Sequence, residues 1–302
     1  MLLAVVAAAT WRAVGRVLRP VERIRARAAT ISGTQPGSRL PVPTSQDEIA
    51  RLAQTMNEML TRIDGALARQ REFVGDASHE LRSPLAALQA EIDVALTHPG
   101  QDHPNAVLTR LAAQTKKMAK LLDGLLFLAR ADEHATLLGH APVDLDELVL
   151  AEAHRLRATG ATVTLSGPDA ARVNGSPNEL TRLLNNLGDN AAAHAASTIT
   201  LGLHINDDHA VLTVTDDGPG IPPQDRDRIF ERFTRLDPSR ARTTTGSAGL
   251  GLAICRQIVQ RHNGKISVEA DTGARFVVQL PLPTSPRTAL PNTGSPPPSV
   301  GM

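Results

Sequence analysis

Phe73 to Leu88 reads FVGDASHELRSPLAAL, and its spacing decides the first half of the fold. Val74, Leu81, Leu88 and Ala95 recur every seven residues, with Leu85 and Ile92 at the intervening seam position, the pattern of a helix that buries one stripe in a bundle. Ser78 takes a seam position where another aliphatic residue is expected, and His79 follows on the flank of the stripe. The histidine should therefore project toward solvent. Pro84 lies inside the same helix, where it has no N–H for the carbonyl of Glu80 and its ring crowds that turn, so a kink is expected just after His79. Glu80 is placed to accept the Nδ1 proton of His79, which leaves the Nε2 lone pair free to attack an electrophile. A surface histidine on a coiled-coil helix fits the same residues. Chemistry at His79 requires an electrophile held elsewhere in the chain.

Working outward, Asn105 to Ala131 carries Leu108, Leu111, Thr115, Met118, Leu122, Leu125 and Ala129 at three- and four-residue steps, a second amphipathic helix after a turn near His98 to His103. Two such hairpins close a four-helix bundle, so a homodimer is the economical way to bury both stripes. After Pro142 the pattern changes to mixed strands and helices, with strands expected at residues 162–166, 199–205, 211–215, 265–270 and 275–280. That is an α/β sandwich.

Three segments of this C-terminal half can hold the electrophile. Ser176 to Ala195, SPNELTRLLNNLGDNAAAHA, opens with an N-cap serine, a first-turn proline and a third-position glutamate, the signature of a capping box. Asn186 and Asn190 lie four apart on one face of the helix that follows, and amide oxygens suit Mg²⁺ that keeps waters and phosphates as its other ligands. An ordinary polar face reads the same way. Val211 to Ile221, VLTVTDDGPGI, is an alternating strand whose end presents Asp216 to accept a hydrogen bond from an exocyclic amine, with Gly218 and Gly220 letting the backbone turn close to a planar ring. A simple Asp-Gly turn is the alternative. Thr245 to Leu252, TGSAGLGL, opens directly into the helix GLAICRQIVQRH, and glycines at a helix start expose N–H groups to a phosphate chain.

These segments follow one another in an order that resembles the sensor histidine kinases of two-component signalling, from Arg16 to Leu282. SHELRSPL is similar to the phosphoacceptor box, NNLGDNA to the asparagine box, DDGPGI to the first glycine box, FERFTR to the phenylalanine box and GSAGLGL to the second glycine box. The resemblance implies that His79 receives the γ-phosphoryl group of ATP with Glu80 as its base, and that an aspartate of a response regulator then takes it. It further implies that Asn186 and Asn190 bind Mg²⁺ and phosphates, that Asp216 reads the adenine amine, that Gly249 and Gly251 line the phosphate path, and that Phe230 and Phe233 anchor the nucleotide lid. Such chemistry rests on positioning and charge neutralisation.

The chain departs from the family pattern at several positions. Ala193 stands where a lysine or arginine usually follows the asparagine box, with Arg235, Arg240 or Arg242 as substitutes. Ser247 and Ala248 replace a glycine and a hydroxyl residue of the second glycine box. Ser83 lies four after His79, where relatives with phosphatase activity generally carry Thr or Asn. Two other readings follow. One is a different ATPase of the same GHKL (Bergerat) nucleotide-binding superfamily, which has no use for a presented histidine. The other is a docking and dimerisation module for a response regulator without working chemistry.

The 302 residues carry a net charge of +1 and no tyrosine, so neither a basic surface nor stacking aromatics point to nucleic acid. Lysine occurs only at Lys116, Lys117, Lys120 and Lys265, and the single cysteine, Cys255, sits mid-helix as a small buried hydrophobe. His98, His103, His134, His140, His154 and His262 fall at turns or polar faces, where solvated histidines are expected. Met1 to Ala9 is wholly apolar but short of the ~20 residues that span a bilayer. Trp11, Arg12, Arg16 and Arg19 follow, as at the cytoplasmic end of a membrane helix.

The domain reading is thus residues 1–15 as a partial transmembrane helix, 16–68 as a linker resembling the HAMP signal-relay domain, 69–135 as the dimerisation and phosphoacceptor hairpin, 142–282 as the ATP-binding domain, and 283–302 as a disordered Pro-rich tail. In the linker, RPVERIRARAATI and DEIARLAQTMNEML form two amphipathic helices. Pro20 and Glu48 match HAMP landmarks, and Ala50 replaces a frequent glycine. The expected location is the cell membrane, with the kinase domains on the cytoplasmic side.

Overall fold

The computed structural model describes residues 1–30, 37–43, 47–98, 103–133, 141–236, 249–270 and 273–283. Arg240, Arg242, Ser247, Ala248, His134, His140 and the Pro-rich tail beyond residue 283 lie outside the described residues. The chain forms two compact units, residues 1–80 and 81–302.

The first unit is helical. Helix α1 spans Leu2–Thr30 and α2 spans Glu48–Thr97, its C-terminal part entering the second unit. The second linker helix does continue into the His79 helix, and α2 runs on through Pro84 without a break. Asp47 caps α2 by accepting the Ala50 N–H at 3.0 Å. Ile24, Leu40 and Ala53 form a small core with Ile49, Met56 and Leu60 against it. The connector is fastened to α2 by the Asn57 amide, which accepts the Leu40 N–H at 2.8 Å and donates to the Leu40 carbonyl at 3.0 Å. Arg39 pairs with Asp64 at 2.7 Å. Among the described residues no helix is long and apolar enough to cross a membrane.

In the second unit, α3 spans Pro104–Glu133, and Arg110 reaches Glu91 of α2 at 3.3 Å. The α/β part follows as β1 (Ala141–Asp144), α4 (Leu145–Ala158), β2 (Thr162–Pro168), β3 (Arg172–Gly175), α5 (Pro177–His194), β4 (Thr198–Asn206), β5 (His209–Asp216), α6 (Gly251–Arg261), β6 (Lys265–Ala270) and β7 (Ala274–Pro281). The main sheet has strand order β2-β4-β5-β7-β6, parallel only between β2 and β4, and β1 pairs with β3 in a separate antiparallel ribbon.

Alternation places one continuous apolar face across this sheet. The register sets Ile199, Leu201 and Leu203 of β4 opposite Asp216, Val214 and Leu212 of β5, and Val214 and Leu212 opposite Phe276 and Val278 of β7. Helices α4, α5 and α6 bury Leu156, Leu180, Leu183, Leu187 and Ile258 along with it. Asp216 belongs to the same period-two series as Ala210, Leu212 and Val214, so the pleat carries its side chain into the buried layer.

Helix α3 buries part of the stripe its spacing suggests and extends it to one flank. Leu125 is buried and Leu111 and Met118 are half-buried, Leu121 and Leu128 are buried beside them, and Leu108 and Leu122 are exposed. The physical reason is α6, which packs against α3 so closely that a Cβ at Gly124 would meet Leu250 and Ile254 at 3.3 and 3.4 Å. Phe127 lies under the Arg182 guanidinium of α5, 4.7 Å from its ring centre. The seam of α2 is also open in the single chain, with Val74 57%, Leu85 54% and Ile92 44% exposed.

Candidate functional site

Asp216 is the centre of the site. It is 2% exposed, and its Oδ1 accepts the N–H groups of Gly218 at 3.0 Å and Ala274 at 3.5 Å. Its Oδ2 is buried without a hydrogen-bond partner among the described residues. Burial pushes this carboxyl above its usual range, and the two backbone N–H groups offset part of that rise. An acceptor held this way is incomplete until a donor arrives, because an unpaired buried polar atom costs about 1–3 kcal/mol.

The walls around Asp216 are backbone. A Cβ at Gly218 would lie 2.3 Å from the His194 carbonyl oxygen, and one at Gly273 would lie 1.8 Å from the Asp216 carbonyl oxygen. Gly220 adopts φ +73° beside Gly273, a left-handed conformation that glycine supplies without strain. Asp217, the next residue, does the opposite work. Its carboxylate accepts the Ser197 hydroxyl and the N–H groups of Ala196, Ser197 and Thr198, and these donors, the Ser197 hydroxyl first, hold it far below the usual carboxylate range. It ties the turn after α5 to the end of β5.

Helix α5 brings Asn186 and Asn190 to one half-buried face while Leu180, Leu183, Leu184, Leu187 and Ala191 are buried. Asn186 Nδ2 is buried and has no partner among the described residues, a second open polar atom. The start of α6 passes beside it, since a Cβ at Gly251 would sit 3.9 Å from Asn186 Oδ1. Gly249 takes φ +67°, and its carbonyl accepts the Phe233 N–H at 3.0 Å. A Cβ at Gly249 would meet the Phe233 backbone at 2.8 Å. Phe230 is buried, edge-on to Phe276 with ring centres 6.4 Å apart. Gly218 and Gly273 thus close on Asp216 at the end of β5, and Gly251 lies beside Asn186 where α6 passes α5.

Family models match along the chain: the HAMP domain at residues 12–65, the His Kinase A (phospho-acceptor) domain at 69–134, and the histidine kinase-, DNA gyrase B- and HSP90-like ATPase at 175–284. Sensor protein CutS of Streptomyces coelicolor is 34% identical over 289 residues, covering 93% of this chain and 69% of CutS. The chain belongs to the sensor histidine kinases. The probable sensor histidine kinase TcrY of Mycobacterium tuberculosis is 38% identical over 262 residues, covering 81% of this chain and 54% of its own. Among solved structures, Acinetobacter baumannii histidine kinase AdeS shares the fold at 20% identity and TM-score 0.55, covering 68% of this chain and 98% of that one. Histidine kinase ThkA in complex with response regulator TrrA shares it at 21% and 0.58, covering 78% and 68%. The kinase is therefore an ATP-dependent autophosphorylating enzyme of two-component signalling that passes a phosphoryl group onward.

In this kinase His79 is exposed on α2 and Glu80 is half-buried. Adjacent helix positions point about 100° apart, and no hydrogen bond joins the two side chains among the described residues. Ala193 is exposed one turn beyond Asn190, and Arg235 is exposed in the segment after Phe233.

The sequence reading missed Asp217, Gly273 and His262. Gly273 precedes the alternating run of β7 and reads as an ordinary turn glycine between the strands expected at 265–270 and 275–280, so nothing in the sequence marks its approach to Asp216. His262, expected in solvent, is buried at 3% exposure. Cys255 is buried as expected, and burial pushes its thiol far above the usual range, which removes it as a nucleophile.

Proposed function

We propose that His79 is the phosphorylated residue and that the cradle at Asp216 binds the adenine of ATP. The observation that carries the nucleotide site is the buried, unpaired Asp216 Oδ2 at a strand end held by close-packed glycines: an amine donor completes it. Asn186 and Asn190 would hold Mg²⁺ through their amide oxygens and donate their amide N–H groups to the phosphates, with Asn186 Nδ2 open for such a bond; bound Mg²⁺ would neutralise charge on the phosphoryl oxygens. Gly249 and Gly251 line the phosphate path. Phe230 and Phe233, the latter pinned to Gly249, anchor the lid.

In the transfer, the Nε2 lone pair of His79 forms a bond to the γ-phosphorus. The bond from that phosphorus to the β,γ-bridging oxygen breaks, and ADP leaves with the electron pair. Glu80, which makes no hydrogen bond to His79 in this structure, accepts the Nδ1–H once its side chain turns toward the ring, and that keeps Nε2 unprotonated. A carboxylate oxygen of a response-regulator aspartate then attacks the phosphorus and the N–P bond breaks, returning the imidazole. The exposed apolar seam of α2 and the exposed Leu108 and Leu122 of α3 are the surfaces that a second copy covers in a homodimer. The apolar residues 1–9 with Trp11 and the arginines after it support a membrane attachment with the kinase domains on the cytoplasmic side. The domain limits that fit these roles are 16–68, 69–135 and 142–282.

The test is incubation of the full chain with Mg²⁺ and γ-labelled ATP beside His79→Gln. The expected result is acid-labile, base-stable label in the parent and none in the variant. Label retained in His79→Gln would move the acceptor elsewhere. An unlabelled parent that still binds a response regulator would favour the docking-module reading.

A further inference from the structure

The capping box at the start of α5 is only half made from local residues. Ser176 Oγ accepts the Glu179 N–H at 3.5 Å, but the returning bond from the third-position carboxylate to the N-cap N–H, which completes such a box, is absent. The Ser176 N–H instead donates to His262 Nε2 at 3.1 Å. Glu179 turns to Arg261, 3.3 Å away, with its other oxygen 3.9 Å from His262 Nδ1.

His262 closes α6, with only 1% of its side chain exposed. Its Nδ1 lies 2.8 Å from the Ile258 carbonyl. A carbonyl can only accept and a backbone N–H can only donate, so the two contacts fix one tautomer: Nδ1 carries the proton and Nε2 the lone pair. Gly175 leaves room for the ring, since a Cβ there would lie 2.6 Å from His262 Cδ2 and 2.7 Å from Nε2.

The ring therefore bolts the first turn of α5 to the last turn of α6. At the other end of α6, Gly251 lies beside Asn186. Helix α6 thus meets the start of α5 at one end and the middle of α5 at the other, and the two helices carry Asn186, Asn190 and Gly251, with Gly249 two residues before α6. We propose that His262 is a positioning residue for the kinase reaction: its neutral Nε2, by accepting the Ser176 N–H, sets the register of α5 against α6 and so the spacing of the phosphate-facing groups. This rests on the reading of those groups as the nucleotide site.

Two amides separate the functions of the ring. His262→Gln puts an amide oxygen near the place of Nε2 and keeps an acceptor for Ser176. His262→Asn reaches only to the place of Nδ1, keeping the bond to Ile258 and losing the one to Ser176. The experiment measures Mg²⁺-ATP affinity and autophosphorylation of the full chain and both variants, with circular dichroism to verify folding. The expected result is a rise of about tenfold in KM for ATP in His262→Asn, a restoration to within about threefold in His262→Gln, and a smaller change in the rate at saturating ATP. Hydrogen exchange of the parent gives a second readout that needs no variant: the Ser176 amide should gain protection when Mg²⁺-ATP is added.

Equal KM in folded His262→Asn and parent would overturn the proposal, as would equal impairment of both variants, which would make the ring a matter of packing. If His262→Asn fails to fold, unchanged protection at Ser176 overturns it and increased protection supports it. A parent chain that bound no nucleotide would overturn the site reading itself, whereas a binding parent with an indifferent His262→Asn would overturn the register role alone.

Discussion

The helix surface around His79 and the cradle around Asp216 are built on opposite terms. His79 is exposed on α2 with an open apolar seam beside it, whereas Asp216 is closed in by backbone that tolerates no extra carbon at Gly218 or Gly273. One region presents a nucleophile and keeps the surroundings clear; the other fixes a ligand by exclusion. Change at the first should abolish chemistry and spare the fold, while a carbon added to the backbone walls of the second should injure both. The largest effect tests the first half of that contrast. His79→Gln should abolish phosphohistidine while leaving nucleotide affinity unchanged and stability within about 0.5 kcal/mol, measured by labelling, nucleotide titration and thermal melting together. A variant that lost substantial stability would show His79 to be a packing residue.

Gly273→Ala tests the other half. A methyl group cannot be placed 1.8 Å from the Asp216 carbonyl oxygen without moving backbone, so the variant should lose about 3 kcal/mol of stability and most of its nucleotide affinity. Equilibrium unfolding and nucleotide titration would measure the two losses. An unchanged unfolding midpoint would mean that the β5–β7 ends are loose enough to part.

The adjacent pair Asp216 and Asp217 sharpens the comparison within the cradle. Asp216→Asn should weaken ATP binding about 100-fold, ~2.7 kcal/mol, because the amide loses the charged acceptor that an exocyclic amine needs. Its stability should hold or rise. Burial raises the Asp216 pKa above its usual 3.8, so the folded state binds the extra proton and the ionised carboxylate destabilises at neutral pH; that penalty is absent below about pH 3.8 and grows as pH climbs through the raised value. Asp217 has the opposite sign. Its pKa is lowered, so its stabilisation is present above the usual carboxylate range and disappears as pH falls toward the depressed value. Asp217→Asn should therefore melt earlier than the parent at neutral pH, and the gap should close in acid. Melting curves of both variants across pH check the two signs at once.

Sequence alone made much of this legible, for reasons that differ by residue. Asp216 could be placed because the run from Leu212, LTVTD, alternates and ends in Asp-Gly chemistry, so pleat and turn agree. Helix α5 could be placed because Ser176 and Pro177 mark its start. The β1–β3 ribbon was not visible: four-residue strands containing Pro142 or ending at Gly175 carry too little alternation. On α3 Leu125 could be placed, but Leu121 and Leu128 could not, because they lie on the flank of the expected series and only α6 decides that they are buried. His262 was missed because a histidine at a helix end is usually solvated, and the partner that buries it lies 86 residues earlier.

The smallest expected effect concerns what the cradle lacks. Asn186, Asn190 and Ala193 follow at four- and three-residue steps and so share a face of α5, and Ala193 is exposed where relatives of this pattern carry a cation. Ala193→Lys should place an ammonium over the phosphates and tighten ATP binding by up to about tenfold, ~1.4 kcal/mol, more for ATP than for ADP and less at high salt, since an exposed charge is screened. Ala192→Lys adds the same charge about 100° away around the helix and should leave affinity unchanged, which separates a positioned contact from a general gain in positive field. Equal tightening in both would reduce the effect to field alone. No tightening in Ala193→Lys would mean that the phosphates already have their cation, and Arg235→Ala, measured in the same titration, would then be expected to lose what Ala193→Lys failed to add.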